Sequence, residues 1–98
     1  MKESTIEARL VREVRKRGGL CYKFTSPGSP GVPDRIVILP GGITVYVELK
    51  TEVGRLANIQ KWQISEIQKR GATVRVLKGM EQVLAFLEEV DRGEIRPA

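Results

Sequence analysis

Two runs of β-branched residues flank the turn Pro40-Gly41-Gly42 and constrain the fold more than any other feature of the chain. The runs cover residues 34–39 and 43–50, and such runs around a glycine-rich turn are typical of an antiparallel hairpin. If the last residue of the first run faces the first residue of the second, then Asp34 lies directly opposite Glu48. The sequence therefore predicts two carboxylates side by side on one face of a sheet.

Lys50 shares this face with Glu48, because side chains alternate along a strand. Like charges across a strand pair are destabilising unless a positive group lies between them. A simpler interpretation is an exposed hairpin whose surface charges contribute almost nothing. Apolar residues on both faces of the hairpin favour the first interpretation, because a sheet covered on both sides keeps these polar groups in a partly closed site.

The composition narrows the possible chemistry. The 98 residues suffice for one core, and we predict a single domain over residues 1–98. A formal net charge of +5 suits an anionic partner such as nucleic acid, although a merely basic protein is nearly as common. The chain has no histidine, which excludes histidine-based acid–base catalysis and the usual zinc sites. Oxygen ligands, and hence Mg²⁺ or Mn²⁺, are expected for any metal.

Cys21 is the only cysteine, so no internal disulfide can form and a reducing compartment is expected. We expect this thiol to be a small buried hydrophobe, because no histidine could activate it as a nucleophile. The sequence shows neither an apolar leader nor a stretch long enough to cross a bilayer, which predicts a cytoplasmic protein that is not secreted.

Hydrophobic periodicity and turn residues predict seven elements in the order αβββαβα. Their predicted bounds are helix 4–17, strands 20–25, 34–39 and 43–50, helix 56–70, strand 73–77 and helix 80–91, followed by a frayed tail over 92–98. The apolar stripe predicted for the last helix consists of Met80, Val83, Leu84, Leu87 and Val90.

Three side chains on the predicted helices have two interpretations each. Glu7 completes a capping box with Ser4, but it also falls on the buried arc of its helix, where a carboxylate needs a partner such as a metal. Gln60 should face the sheet, either beside the acidic pair or bonded to backbone. Trp62 belongs either to the core at the edge of a layer or to an exposed oligomer contact.

Two weaker signals concern nucleic acid. The far side of the first helix carries four basic residues that are either a solvated face or phosphate contacts: Arg9, Arg12, Arg15 and Lys16. The loop over residues 26–32 contains Gly28 and Gly31, at which the backbone could approach a phosphate, although most such loops are only turns.

Four segments together resemble the VRR-Nuc family of the PD-(D/E)xK nuclease superfamily. They are Gly31-Val32-Pro33-Asp34, Glu48-Leu49-Lys50, Gly54-Arg55-Leu56, and Gln60 with Trp62. The resemblance covers nearly the whole chain, and the length is similar to that of stand-alone viral and bacterial members. It implies an α/β fold with a restriction-endonuclease-like core, in which helices flank a mixed β-sheet.

The same resemblance implies an active site that depends on Mg²⁺ or Mn²⁺. Its metal ligands would be Glu7, Asp34, Glu48 and Leu49, the last through its carbonyl oxygen. Lys50 would position or activate the attacking water, and Gln60 would support the site. These six residues are the candidate functional residues of the chain.

The expected function is that of a metal-dependent, structure-specific endonuclease that hydrolyses phosphodiester bonds in branched DNA such as four-way junctions. The resemblance also implies a homodimer, as in minimal members of the family. Two symmetric cuts across a junction need two active sites, and a homodimer would provide them. Two alternatives stay open at this point. One is a nuclease that acts on ordinary duplex DNA, and the other is a non-catalytic nucleic-acid-binding module with the same fold.

Overall fold

The computed structural model describes residues 1–96 and contains seven elements around a four-stranded sheet. In chain order they are α1 (Glu3–Lys16), β1 (Leu20–Lys23), β2 (Arg35–Leu39), β3 (Ile43–Lys50), α2 (Asn58–Lys69), β4 (Thr73–Lys78) and α3 (Gly79–Asp91). This arrangement confirms the predicted α/β fold class and the order αβββαβα.

The sheet has the strand order β1-β2-β3-β4. β2 pairs antiparallel with both β1 and β3, whereas β3 pairs parallel with β4 through the crossover that contains α2. The predicted hairpin register is confirmed, with Arg35 opposite Val47. Continued by one residue, this register sets Asp34 opposite Glu48.

The alternation of side chains along β2 and β3 separates two faces of the sheet. The odd-numbered face packs against α1 and α3 and forms the hydrophobic core. Its fully buried residues on the two strands are Val37, Val45, Val47 and Leu49, and the helices contribute Ile6, Leu10, Val14, Val83, Phe86 and Leu87. The even-numbered face carries the acidic pair and packs against α2.

α1 begins one residue earlier than predicted, and this start rules out the capping box at Ser4. The N-cap residue is Lys2, whose carbonyl accepts hydrogen bonds from the amides of Thr5 and Ile6. Ser4 therefore lies inside the first turn. Glu7 therefore does not form a capping box with Ser4.

β1 is shorter than predicted at its end, and α2 is shorter than predicted at both ends. β1 ends at Lys23, after which one further bond, from the Phe24 amide to the Asp34 carbonyl, precedes the proline-containing loop. α2 begins at Asn58, because the side chain of Gln60 accepts a hydrogen bond from the backbone amide just before the helix. This side-chain cap fixes the start of α2 two residues later than its apolar pattern indicates.

Two predictions about the C-terminal part were wrong. Leu84 is exposed and Phe86 is buried, so the apolar stripe of α3 passes through Phe86 instead. The expected frayed tail turns back onto the core, where Ile95 is only 3% exposed. The amides of Gly93 and Glu94 donate to carbonyls at the end of α3, which directs the chain inward. Residues 97 and 98, the end of that tail, lie outside the described part of the chain.

Cys21 faces the core from β1 and is buried, as predicted. Its burial raises the pKa of the thiol, which keeps the sulfur protonated at neutral pH. Among the helices within residues 1–96, none combines the length and apolar character that crossing a membrane requires.

Candidate active site

Asp34 is fixed between the strands on either side of β2. Its backbone carbonyl accepts a hydrogen bond from the Phe24 amide at 2.9 Å, and its Oδ2 accepts one from the Leu49 amide at 2.9 Å. The side chain thus continues the β2–β3 ladder by one step, so the sheet sets its orientation. The other carboxylate oxygen, Oδ1, accepts no hydrogen bond from residues 1–96.

Glu48 is the most deeply buried charged residue in the described part of the chain, with 1% of its surface exposed. Its Oε2 accepts a hydrogen bond from Gln60 Nε2 at 3.0 Å and lies 3.6 Å from Lys50 Nζ. Its Oε1 is buried and has no hydrogen-bond partner in the described part of the chain. Because a buried carboxylate oxygen without a donor is costly, this atom marks a position where a cation would be stabilised.

Burial raises the pKa of Glu48 to about 7, and the negative charge of Asp34 adds to the rise. The ammonium group of Lys50 acts in the opposite direction. The carboxyl of Glu48 therefore takes up a proton much closer to neutral pH than an ordinary glutamate does. The effect of the Asp34 charge on Glu48 agrees with the placement of both carboxylates on one face of the hairpin.

Gln60 contacts both the acidic pair and the backbone, so both interpretations of its sequence position are correct. Its Nε2 donates to Glu48, and its Oε1 accepts a hydrogen bond from the Ala57 amide at 2.9 Å. One side chain thus caps α2 and ties the helix to β3. This double contact holds the Glu48 carboxylate in a single orientation.

Glu7 has a partner that the sequence analysis did not consider. Its Oε2 lies 2.8 Å from Nε of Arg35, whose Nη1 also donates to the Cys21 carbonyl at 3.4 Å. Arg35 follows Asp34 on β2, so its side chain points to the opposite face of the sheet. Within residues 1–96 no three Asp, Glu or Cys side chains form a group that could hold a metal. The structure therefore does not bring Glu7 together with the acidic pair.

A different carboxylate of α1, Glu3, acts on the site. Its charge contributes to the raised pKa of Glu48, although less than burial and Asp34 do. Sequence reasoning missed this residue. The available signal was its position four residues before Glu7, which puts both side chains on the same side of α1.

The loop between β1 and β2 packs on the first turn of α2. Gly31 has φ +86°, and a Cβ atom there would lie 2.9 Å from Cγ1 and 3.0 Å from the carbonyl carbon of Ile59. Gln63 Nε2 donates to the Pro30 carbonyl at 3.0 Å in the same contact. Because the loop ends at Asp34 and the residue after Ile59 binds the buried carboxylate, this contact sets the spacing between the two sides of the site.

The overall geometry has a close counterpart among solved structures. A chain described as "VRR_NUC domain" superimposes with a TM-score of 0.83 and is 32% identical, and the match covers 88% of this chain and 94% of that one. The chain belongs to the VRR-Nuc family. A second structure, described as "VRR_NUC domain protein", matches with a TM-score of 0.70 at 14% identity, over 91% of this chain and 87% of that one, and supports the fold.

A curated protein is similar in sequence to about half of this VRR-Nuc chain. "Putative nuclease p44" of Acyrthosiphon pisum secondary endosymbiont phage 1 is 58% identical over 50 residues, which is 51% of this chain and 54% of that protein. The match thus spans about half the length of the relative. No family model matches the chain. Membership of the VRR-Nuc family confirms the resemblance found in the sequence motifs.

Replacing Glu48 with Gln should stabilise the metal-free protein, and more at pH 8 than at pH 5. The folded-state pKa of Glu48 is raised from 4.5 to about 7, so the unfolded chain releases this proton first as the pH rises. The wild-type protein therefore loses stability across this interval, whereas a neutral Gln does not. The difference at pH 8 should be on the order of 3 kcal/mol in denaturant unfolding with EDTA.

The matched control is Glu66→Gln on α2. Glu66 is a surface carboxylate paired with Lys69 and Arg70, which lower its pKa, so its replacement should give no stabilisation at high pH. Parallel pH profiles for the wild type and Glu48→Gln would contradict the prediction.

Gly31→Ala should destabilise the fold more than Gly28→Ala. Both glycines have nearly the same positive φ, 86° and 85°, so alanine costs about 1–2 kcal/mol of backbone strain at either position. Only at Gly31 would the new methyl group collide with Ile59, whereas nothing lies within 4 Å at Gly28. The collision should add about 1–3 kcal/mol to the loss in free energy of unfolding. Equal losses in the two variants would show that the contact with α2 is not tight.

Proposed function

We propose that this chain is a divalent-metal-dependent endonuclease that hydrolyses phosphodiester bonds in DNA. The observation that carries the proposal is the buried carboxylate of Glu48, which has one unpartnered oxygen and lies beside Asp34 and Lys50. A protein that only binds DNA gains nothing from two coupled carboxylates, because they repel phosphate. The name of the phage relative, which describes a nuclease, supports the same activity.

The donor atoms suit a hard divalent cation. The chain has no histidine, and Mg²⁺ and Mn²⁺ prefer carboxylate and carbonyl oxygens. At this position Oδ1 of Asp34 and Oε1 of Glu48 each accept no hydrogen bond from the described residues 1–96. We assign metal ligation to Asp34, Glu48 and the Leu49 carbonyl, and to Glu7 after it leaves Arg35.

The side chains around this position have separate tasks in phosphodiester hydrolysis. When bound, a divalent cation would polarise the phosphate and lower the pKa of a water molecule. Lys50, 3.6 Å from the Glu48 carboxylate, provides positive charge where the phosphoryl oxygens gain negative charge. In its neutral form the same amine could instead accept the proton of the attacking water. Gln60 orients Glu48 through its hydrogen bond.

Cleavage of a panel of DNA substrates tests the proposed activity. Purified protein is incubated with four-way junction, flap, nicked and linear duplex DNA, each with Mg²⁺, Mn²⁺ or EDTA. We expect cleavage only with a metal, and the fastest cleavage on the junction. Asp34→Asn and Lys50→Ala should lower the rate by about 100-fold or more, because they remove a metal ligand or transition-state charge. Glu66→Gln should retain the wild-type rate.

Two further measurements separate metal binding from chemistry. Mn²⁺ should raise the Tm of the wild type but not that of Asp34→Asn, because a ligand stabilises only the state that binds it. Lys50→Arg keeps the charge but cannot accept a proton, so its activity distinguishes the two roles of Lys50. Cleavage in EDTA at the wild-type rate would overturn metal dependence. Binding without cleavage would favour the non-catalytic module, and equal rates on junction and linear DNA would favour a duplex nuclease.

We further propose that the chain acts on branched DNA as a homodimer. α2 packs against β4, and on the same face of the sheet β1 carries Leu20 and Tyr22. Leu20 and Tyr22 on β1 are 46% and 54% exposed, and Ile59 and Trp62 on α2 are 44% and 56% exposed. A second copy would bury large apolar and aromatic side chains of the kind found at the centre of interfaces. Two symmetric copies would also present two active sites at a fixed spacing.

Light scattering at micromolar concentration should give twice the chain mass of 11.0 kDa. Trp62→Glu should convert the protein to monomer, because it sets a charge in the centre of the interface. Leu84→Glu is the matched control, since Leu84 is an exposed leucine on α3, away from this face. A monomeric wild type that cuts both symmetric positions of a junction would contradict the homodimer.

A further inference from the structure

We propose that the outer surface of α1 binds phosphates of the DNA backbone, and that Glu13 takes the place of a phosphate when DNA is absent. The α1 basic surface is defined by Arg9, Arg12, Arg15 and Lys16. The inference rests on the proposed nuclease function. It concerns residues outside the candidate active site and assigns them contacts with the backbone of the DNA substrate.

α1 carries most of the net charge of the chain. Residues 9–17 include five basic side chains and one acidic side chain, which together account for four of the chain's five net positive charges. At about 100° per residue, the members of the α1 basic surface form one continuous arc on the side away from Ile6, Leu10 and Val14. A cationic arc of this kind suits a polyanion such as DNA.

Four cations surround Glu13, whose side chain is only 13% exposed. Their distances to its carboxylate oxygens are 3.0 Å for Arg17, 3.5 Å for Arg9 and Lys16, and 3.9 Å for Arg12. One carboxylate cannot neutralise four cations, so this surface keeps a positive charge. Arg9 Nε is moreover buried and donates no hydrogen bond within residues 1–96, so its contact with Glu13 is an ion pair without a hydrogen bond.

The contacts of Arg17 stabilise the fold, whereas those of Arg12 and Lys16 contribute little to stability. Arg17 binds Asp91 on α3 with two hydrogen bonds, from Nε at 2.7 Å and from Nη2 at 3.0 Å, and thereby ties α1 to α3. The side chains of Arg12 and Lys16 are 59% and 66% exposed, and their ion pairs with Glu13 are long. Surface pairs of this kind contribute little to stability, so these two side chains can turn toward phosphate at small cost.

α1 connects the α1 basic surface to β2, the strand that follows Asp34. Glu7, just before this surface on α1, binds Arg35, which is the residue after Asp34. At 1.5 Å per residue, the surface from Arg9 to Lys16 extends about 10 Å along the helix axis. That length corresponds to roughly three phosphate steps of one DNA strand at about 3.4 Å each. The surface is therefore long enough to contact several successive phosphates of one strand.

Fluorescence anisotropy in EDTA measures DNA binding without cleavage. A junction and a linear duplex are titrated between 50 and 200 mM NaCl with the wild type, Glu13→Gln and Glu88→Gln. Glu13→Gln should bind about 3- to 10-fold more tightly at low salt, because it frees cations for phosphate. Glu88→Gln makes the same change in net charge on α3, where the side chain of Glu88 is 70% exposed and pairs with Arg92. It should bind as the wild type does.

The converse variant removes charge from the α1 basic surface. Arg12→Gln combined with Lys16→Gln should weaken binding and make the slope of log K against log salt shallower by about 1 to 2, since each lost phosphate contact contributes about 0.9. The matched control is Lys69→Gln with Arg70→Gln, two equally exposed cations that share Glu66 on α2. This control should keep the wild-type slope.

The two sets of variants give clear outcomes. Equal tightening by Glu13→Gln and Glu88→Gln, or equal slopes for the two double variants, would overturn the inference, because net charge alone would then explain binding. Circular dichroism checks that each variant is folded. Since all binding is measured without metal, the inference can fail while wild-type cleavage stands. Loss of the proposed nuclease function would instead appear in the cleavage assay alone.

Discussion

The antiparallel register of β2 and β3 determines what each face of the sheet does. A shift by one residue would turn the valines of the core toward α2 and bury the acidic pair under α1 and α3. Burying each of Val37, Val45 and Val47 contributes roughly 1.5–3 kcal/mol. Together they exceed the cost of a few kcal/mol that the raised pKa of Glu48 represents. The core thus holds two carboxylates together against their repulsion.

Three sides of α1 make three different kinds of contact. Its apolar side contributes Ile6, Leu10 and Val14 to the core. Between the core and solvent, Glu7 binds Arg35 and so connects the helix to the start of β2. The remaining side carries the α1 basic surface. Because a helix is rigid over this length, the core packing also fixes how the charged side is placed relative to Asp34.

The sequence alone predicts the features that depend on the periodicity of side chains along a strand or a helix. The hairpin register, the burial of Cys21 and the orientation of Gln60 toward the sheet follow from alternation and helical spacing. The contact of Gly31 with Ile59 and the return of Ile95 to the core could not be predicted in this way. Each joins elements that are distant in the chain, and no local pattern specifies which surfaces meet.

The partner of Glu7 illustrates the same limit within the candidate site. Helical spacing correctly indicated a carboxylate near the buried side of α1 that needs a partner. Two cationic choices were possible, a metal or a basic side chain, and the structure supplies Arg35. Arg35 adjoins Asp34 in the sequence but points to the other face of β2, so its approach to α1 depends on how the helix crosses the sheet.

The single thiol of this protein is enclosed in the core, and its burial raises its pKa. Maleimide reagents react with thiolates, which add to the maleimide double bond, so the protonated and buried Cys21 should stay unmodified in the folded state. A second cysteine introduced at the exposed Pro40, in the hairpin turn at the other end of β2 from Asp34, would then be the sole reactive position. The molecule is thus suited to attachment of one fluorophore or spin label at a chosen place without first removing its native sulfhydryl.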